Sequence, residues 1–259
     1  MTTHLIIPDC QVKDGVPLDH LEWVGRYIVH KKPDVIINIG DFADMPSLSS
    51  YDKGKKSFEG RRYRKDIESA HKAQEILLGP MRRYNELAAK QHRAQYRPRM
   101  VLTLGNHEDR ITRAIESQAE LDGVLSINDL RYKEYGWEVY DFLKPVQIDG
   151  VYYAHYFVNP SSLKKLPLSG QMETKLKNTG HSFTMGHQQQ LQYGLRHLAN
   201  GITLHGLVAG ACYLHDEEYL GPQGNNYWRG IIMCHNVKDG TYDPMFVSLD
   251  FLKHKYTNL

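Results

Sequence analysis

Met100-Val101-Leu102-Thr103-Leu104-Gly105-Asn106-His107-Glu108-Asp109-Arg110 decides how this chain reads. An apolar strand from Met100 to Leu104 runs into Gly105, which lets the backbone turn sharply. An amide, an imidazole and three charged groups follow at once. Asn106 offers a carbonyl oxygen that a hard cation accepts. His107 can move a proton near neutral pH. Polar groups at the carboxyl end of an apolar strand are where open α/β sheets place their chemistry.

Two earlier segments repeat the pattern. His4 to Pro8 is a short apolar strand ending at Asp9-Cys10-Gln11, and Val35 to Ile39 is another, ending at Gly40-Asp41-Phe42-Ala43-Asp44. Between them, Leu18 to His30 has helical apolar spacing, closed by Pro33. Met45 to Arg64 reads as an irregular loop. Asp66 to Leu78 and Pro80 to Gln95 read as two helices, or as one broken at Gly79-Pro80. A helix from about Arg110 to Ala119 follows the third strand. This alternation predicts a parallel sheet with right-handed crossovers. Its three polar strand ends then lie on one edge.

The second half is rich in short β segments. Trp137 to Tyr140, Val146 to Ile148 and Val151 to His155 read as strands, with Asp149-Gly150 as a hairpin turn. Gly170 to Asn178 reads as a helix capped by Gly180. Ser182 to Gly186 is a strand ending at His187-Gln188-Gln189. Ile202 to Tyr213, Trp228 to His235 and Met245 to Leu249 complete this half. No repeat or linker interrupts the chain. The expectation is one α/β domain over residues 1–259, two packed mixed β-sheets flanked by helices, with a basic helical insertion at about 45–99.

Composition narrows the function classes. Hydrophobic residues make up 41% of the 259, ordinary for a globular core. No run of eighteen apolar residues is present, so no membrane span is expected. No secretory pattern opens the chain, so a cytoplasmic location is expected. Cys10, Cys212 and Cys234 are odd in number and lack paired spacing, which speaks against a disulfide scaffold or zinc knuckle and for a reducing compartment. Cys10 reads as a small buried side chain. The net charge of +2 is unevenly spread: residues 53–99 hold fourteen Lys/Arg against five Asp/Glu. Such a segment either meets an anionic partner or is simply a solvated face.

Collected, the strand-end groups are Asp9, Asp41, Asp44, Asn106, His107, His155 and His187. This mix of carboxylate, amide and imidazole suits divalent ions. Here the sequence resembles the calcineurin-like metallophosphoesterases. That family carries Asp-x-His, Gly-Asp-x-x-Asp, Gly-Asn-His-Glu/Asp, an isolated His and Gly-His-x-His in this order. The corresponding stretches are Asp9-Cys10-Gln11, Gly40 to Asp44, Gly105 to Glu108, His155 and Gly186-His187-Gln188-Gln189. The resemblance implies a four-layer αββα sandwich and a hydrolase acting on phosphate esters. It implies that Asp41 bridges two metals, that Asn106, His155 and His187 complete one site, and that Asp9 belongs to the other. It implies in-line attack by a metal-bound hydroxide, with His107 as general acid oriented by Asp44. Arg110 would contact the phosphate or pair with a nearby acid.

Two positions depart from the family pattern. Gln11 and Gln189 stand where it has histidines of one metal site. An oxygen-rich site of this kind favours Mn²⁺ or Mg²⁺ over Zn²⁺ or Fe. One or two ions per chain are therefore expected, with Mn²⁺ the activator. The other reading is that the two glutamines only line the pocket. His181, His205 and His215 are given no ligand role.

The loop after Asp44 carries Lys53, Lys55, Lys56, Arg61, Arg62, Arg64 and Lys65 among Tyr51, Phe58 and Tyr63. Cations interleaved with aromatics suit a phosphate backbone with stacked bases. Lys55, Lys56, Arg61 and Arg62 are thus candidates for binding a nucleic acid or nucleotide diester. Gly105 to Arg110 and Asn225-Asn226-Tyr227-Trp228-Arg229-Gly230 look most like the small phosphoesterases of bacteriophage and prophage genomes. A phosphomonoesterase and a metal-poor nucleic-acid-binding relative without turnover stay open as alternatives.

Overall fold

The computed structural model describes residues 2–52, 54–162, 164–217 and 221–257. Lys53 of the basic loop lies outside them. β1 (Thr2–Ile7), β2 (Val35–Asn38) and β3 (Arg99–Thr103) run parallel, with Ile6 beside Ile37 and Ile37 beside Val101. The crossovers carry α1 (Asp19–Lys31) and α2 (Tyr63–Lys90). After α3 (Asp109–Ser117), β4 (Glu138–Tyr140) adds a fourth parallel strand beside β3. Sequence alone grouped that segment with the β-rich second half.

The second sheet is built from β5 (Val146–Ile148), β6 (Val151–Tyr153), β7 (Phe183–Met185), β8 (Leu191–His197) and β9 (Thr203–Ala209), in the order β5-β6-β7-β9-β8. α4 (Met172–Thr179) precedes β7 and stops at Gly180 in the left-handed conformation. Asp149 and Gly150 both have positive φ, as a tight two-residue hairpin requires. After a single-turn α5 (Gly221–Gly224), the antiparallel β10 (Gly230–Lys238) and β11 (Thr241–Ser248) return to the first sheet. Its order is therefore β11-β10-β1-β2-β3-β4. The chain ends on α6 (Leu249–Tyr256).

Strand alternation sets the layers. Leu5, Ile7, Ile36 and Leu102 face α1 and α2, packing on Leu21, Val24, Ile28 and Leu77. Ile6, Ile37 and Val101 face the other way, onto Val146, Val151, Tyr153 and Leu207 of the second sheet. On the far side of that sheet, Phe183, Met185 and Val208 meet Met172 and Leu176 of α4. The result is two packed mixed sheets with helices on both outer faces.

Three elements differ from the sequence reading. α2 is one continuous helix of 28 residues that begins at Tyr63 and passes through Pro80. An interior proline costs about 3 kcal/mol. Burying Leu77 and Leu78 beside it returns roughly 2 kcal/mol each, so packing keeps the helix whole. α2 lies along α1 as the crossover between β2 and β3. β8 was not expected, because Gly194 sits inside it, although Leu191, Tyr193 and Leu195 alternate as in a strand. α6 was also missed. It is short, yet Leu249, Leu252 and Tyr256 share a buried face, and the Ser248 hydroxyl accepts the Phe251 N–H at 3.2 Å as its cap.

Among the described residues no helix is long and apolar enough to cross a membrane. Cys10, Cys212 and Cys234 are buried free thiols.

Candidate active site

The loops after β1 and β2 are zipped together just past the strand ends. Gln11 N–H donates to Asp41 O at 2.9 Å, Val12 N–H to Phe42 O at 2.8 Å, and Asp44 N–H to Val12 O at 2.9 Å. Gln11, Asp41, His187 and Gln189 all adopt positive φ, between 43° and 65°. This conformation costs a non-glycine residue roughly 1–2 kcal/mol. Such strain concentrates at functional sites. Gly105 and Gly186 have no such choice of side chain. A Cβ on Gly105 would collide with the Asp41 carboxylate, and one on Gly186 with Asp9 Oδ1.

Four side chains converge past the ends of β2 and β3. Ligand atoms of Asp41, His155 and His187 all lie within 4.8 Å of one another. Asn106 Oδ1 sits among them, 2.9 Å from His155 Nε2 and 2.8 Å from His187 Nδ1. Asp41 Oδ2 is 3.2 Å from His155 Nε2. On the far edge of the His155 ring, Nδ1 faces the Ile39 carbonyl at 3.0 Å. A carbonyl only accepts, so Nδ1 carries a hydrogen and Nε2 is the atom that can ligate. Burial opposes an imidazolium here, but the carboxylates of Asp41 and Asp9 outweigh it and bring His155 up to about 9. Burial, aided by the neighbouring His155, holds His187 down to about 4. Burial would raise Asp41, but His107 and His155 keep it below the usual carboxylate range. Two oxygens and two nitrogens aimed at one point fit a divalent cation.

Beside this cluster lies a second pocket side. Asp9 is fully buried and accepts the His187 N–H, at 3.0 Å to Oδ2. Burial pushes its carboxyl pKa up. Gln11 is 1% exposed, and neither atom of its amide has a hydrogen-bond partner among the described residues. Gln189 Oε1 accepts from the Tyr213 hydroxyl at 2.9 Å. An orphaned buried amide costs about 1–3 kcal/mol, and the Gln11 amide oxygen is a group that a cation or its bound water would fit.

His107 stands on the opposite flank. His107 Nδ1–H donates to Asp44 Oδ1 at 2.6 Å, while Nε2 has Arg110 Nη2 at 3.3 Å and Asp41 Oδ2 at 3.7 Å. Burial acts against the imidazolium, yet Asp41 and Asp44 together raise the His107 pKa. Asp44 stays below the usual range, because His107, Lys13 and Arg110 outweigh its burial. Arg110 donates to the Asp44 carbonyl at 2.7 Å and lies 3.3 Å from Asp44 Oδ1. Arg110 thus pairs with the acid Asp44.

Glu108, which sequence reading left without a role, ties the edge together. Its buried carboxylate accepts the N–H groups of Gly105, Asp41 and Ala43 at 2.9–3.0 Å and the Tyr132 hydroxyl at 3.2 Å. Lys13 and Glu217 were missed as well. Lys13 Nζ lies 3.1 Å from Asp44 Oδ2 and 2.6 Å from Glu217 Oε1. Nothing in the spacing of these two residues announces the contact. The signal for Glu108 lies in the Gly105–Arg110 stretch, since the residue after His107 begins the turn into α3.

The basic loop leaves the site directly after Asp44. Arg61 donates to the Pro46 carbonyl and pairs with Asp52 at 2.8 Å; Lys55 pairs with the same carboxylate at 3.1 Å. Arg64 pairs with Glu68 and Lys65 with Asp14. Lys56 and Arg62 lie on the same segment, and Arg62 donates only to the Arg61 carbonyl among the bonds described. A cavity of about 650 Å³ opens beside α3, lined by Leu104, Asp109, Thr112, Tyr132 and Phe142 among others.

No family model and no curated protein matches this sequence. Among solved structures the fold is similar to that of Yfce, a phosphoesterase from E. coli, with 12% identity and a TM-score of 0.39 over 95% of this chain and 100% of that one. It is similar as well to a dimetal phosphatase from Danio rerio, with 10% identity and a TM-score of 0.43 over 96% of each chain.

Proposed function

We propose that this chain is a metal-dependent phosphoesterase whose substrate is a phosphodiester of a nucleic acid or nucleotide. One observation carries the reading: the cluster of Asp41, Asn106, His155 and His187 stands beside the Asp44–His107 pair. A cation site next to a positioned imidazole is the pairing that phosphoryl transfer needs. Asp41, Asn106, His155 and His187 would hold one divalent ion. Asp9, Asp41, Gln11 and Gln189 would hold a second, more weakly, with Mn²⁺ or Mg²⁺ preferred by their oxygens. A bound ion supplies charge that neutralises the phosphoryl oxygens and acidifies water. His107 gives the Nε2 proton to the leaving oxygen, and Asp44 holds the ring through Nδ1 so that Nε2 points at the reacting group.

The diester preference rests on the basic, aromatic-bearing segment that begins beside the site, where Tyr51 is 80% exposed. A monoester substrate is the second reading. It is favoured by the pairing of Lys55 and Arg61 with Asp52, which removes two cations from a polymer path. The test is an assay with Mn²⁺ on diester and monoester chromogens, DNA, RNA and cyclic nucleotides, beside an Asp41→Asn control. Diester or polymer cleavage that disappears in the control supports the proposal. Preference for the monoester supports the second reading. Nucleic-acid binding without cleavage would instead make this a non-catalytic binding protein.

A further inference from the structure

A largely buried chain of polar contacts runs from His107 into the segment that follows β9. Asp44 offers one oxygen to each side: Oδ1 to His107 Nδ1 at 2.6 Å, Oδ2 to Lys13 Nζ at 3.1 Å. Lys13 continues to Glu217 Oε1 at 2.6 Å, and the same oxygen receives His215 Nε2 at 2.9 Å. The Glu217 N–H is itself held by Asn225 Oδ1 at 2.8 Å. Asp44 and Glu217 are 7% and 6% exposed, so neither is a solvated surface group. The backbone bonds between Gln11–Val12 and Asp41–Asp44 fix Lys13 in register beside Asp44.

We propose that Lys13, clamped by Glu217, is the positioning residue for the Asp44–His107 pair. A carboxylate torsion is broad and nearly two-fold. With only His107 and Arg110 as partners, Asp44 could swing between several arrangements. A cation locked on Oδ2 leaves Oδ1 one orientation, and that orientation sets the plane of the imidazole. Glu217 is needed in turn because a lone lysine has three rotatable donors and a flexible stem. Lys13 touches no reacting atom; it acts through Asp44. The inference rests on the assignment of His107 as general acid, and it adds a requirement on two residues outside every motif quoted above.

General-acid help matters most where the leaving group is a poor one, which gives a readout that simple destabilisation does not move. The experiment measures kcat and KM of the Mn²⁺-loaded protein on p-nitrophenyl and phenyl esters of the same phosphate, diester and monoester. The variants are Lys13→Met, Lys13→Arg, Glu217→Gln and His107→Asn. Lys13→Met and Glu217→Gln should lose about tenfold or more in kcat on the phenyl ester, and only about twofold on the p-nitrophenyl ester. KM should stay within about twofold, and Lys13→Arg should recover most of the loss. Glu217→Gln keeps the side-chain shape and serves where Lys13→Met fails to fold. Equal losses on both esters, or no loss on either, would overturn the proposal. The control separates the two levels. If His107→Asn itself shows no leaving-group dependence, the general-acid assignment fails; if it does and the Lys13 and Glu217 variants do not, only the positioning role fails.

Discussion

On one side of the pocket, Asp41, Asn106, His155 and His187 satisfy one another through contacts of 2.8–3.2 Å. On the other, the buried amide of Gln11 finds no partner among the described residues, and Gln189 leans on Tyr213. On the proposed reading, the first side is a complete donor set, its four groups already drawn to one point where a cation would sit. The second is assembled from weaker oxygen donors around Asp9. Preorganisation of this kind separates a site that keeps its ion from one that fills only at higher metal concentration. On the proposed reading the two sides would share Asp41, so a change at that carboxylate should affect both.

The largest effect is expected there. Asp41→Asn should lower kcat/KM by on the order of 10³-fold, about 4 kcal/mol, measured with saturating Mn²⁺ on the best chromogen. Retention of more than a tenth of the activity would mean that the two sides do not depend on a common carboxylate. Next comes the scaffold beneath both. Glu108→Ala strands three backbone N–H groups and a phenol in a buried setting. The expected cost is ~3 kcal/mol or more of unfolding free energy, read from urea titration with metal removed. A loss under ~1 kcal/mol would show that water replaces the carboxylate without strain.

Gln11→His sharpens the contrast directly. An imidazole in place of the amide should tighten the weaker ion by about tenfold, ~1.4 kcal/mol, in a calorimetric Mn²⁺ titration. The tighter ion should be unchanged. If both affinities move together, the pocket is one site and the two sides are not distinct. The smallest effect belongs to the loop. Replacing Lys56 and Arg62 with Ala should weaken polymer binding about two- to threefold and reduce its salt dependence by about one counterion per lost contact. Activity on the chromogens should not change.

Much of this arrangement is visible in the primary structure, for stated reasons. The apolar runs at Ile6, Ile37 and Val101 are buried on both faces, so they appear as unbroken hydrophobic strands, and their polar ends follow in register. The same local logic placed Asp9, Asp41, Asn106 and His107 on one edge. What stayed hidden depends on contacts between distant residues. Lys13 and Glu217 are 204 positions apart, and neither sits in a recognisable spacing. Pro80 looked like a break because local propensity was read without the packing of α2 on α1. The basic loop looked free because Asp52, its internal partner, was one acid among many cations.

On the proposed reading, the Asp41–Asn106–His155–His187 side would hold a divalent ion tightly and the Gln11–Gln189 side a second one weakly. Equilibrium titration of the metal-free protein with Mn²⁺, followed by calorimetry and by the electron-spin signal of the unbound ion, measures both constants in one sample. One ion should bind at least about tenfold more tightly than the other, with the tight step abolished in His155→Ala. Two equally tight ions, or no binding at all, would contradict that reading.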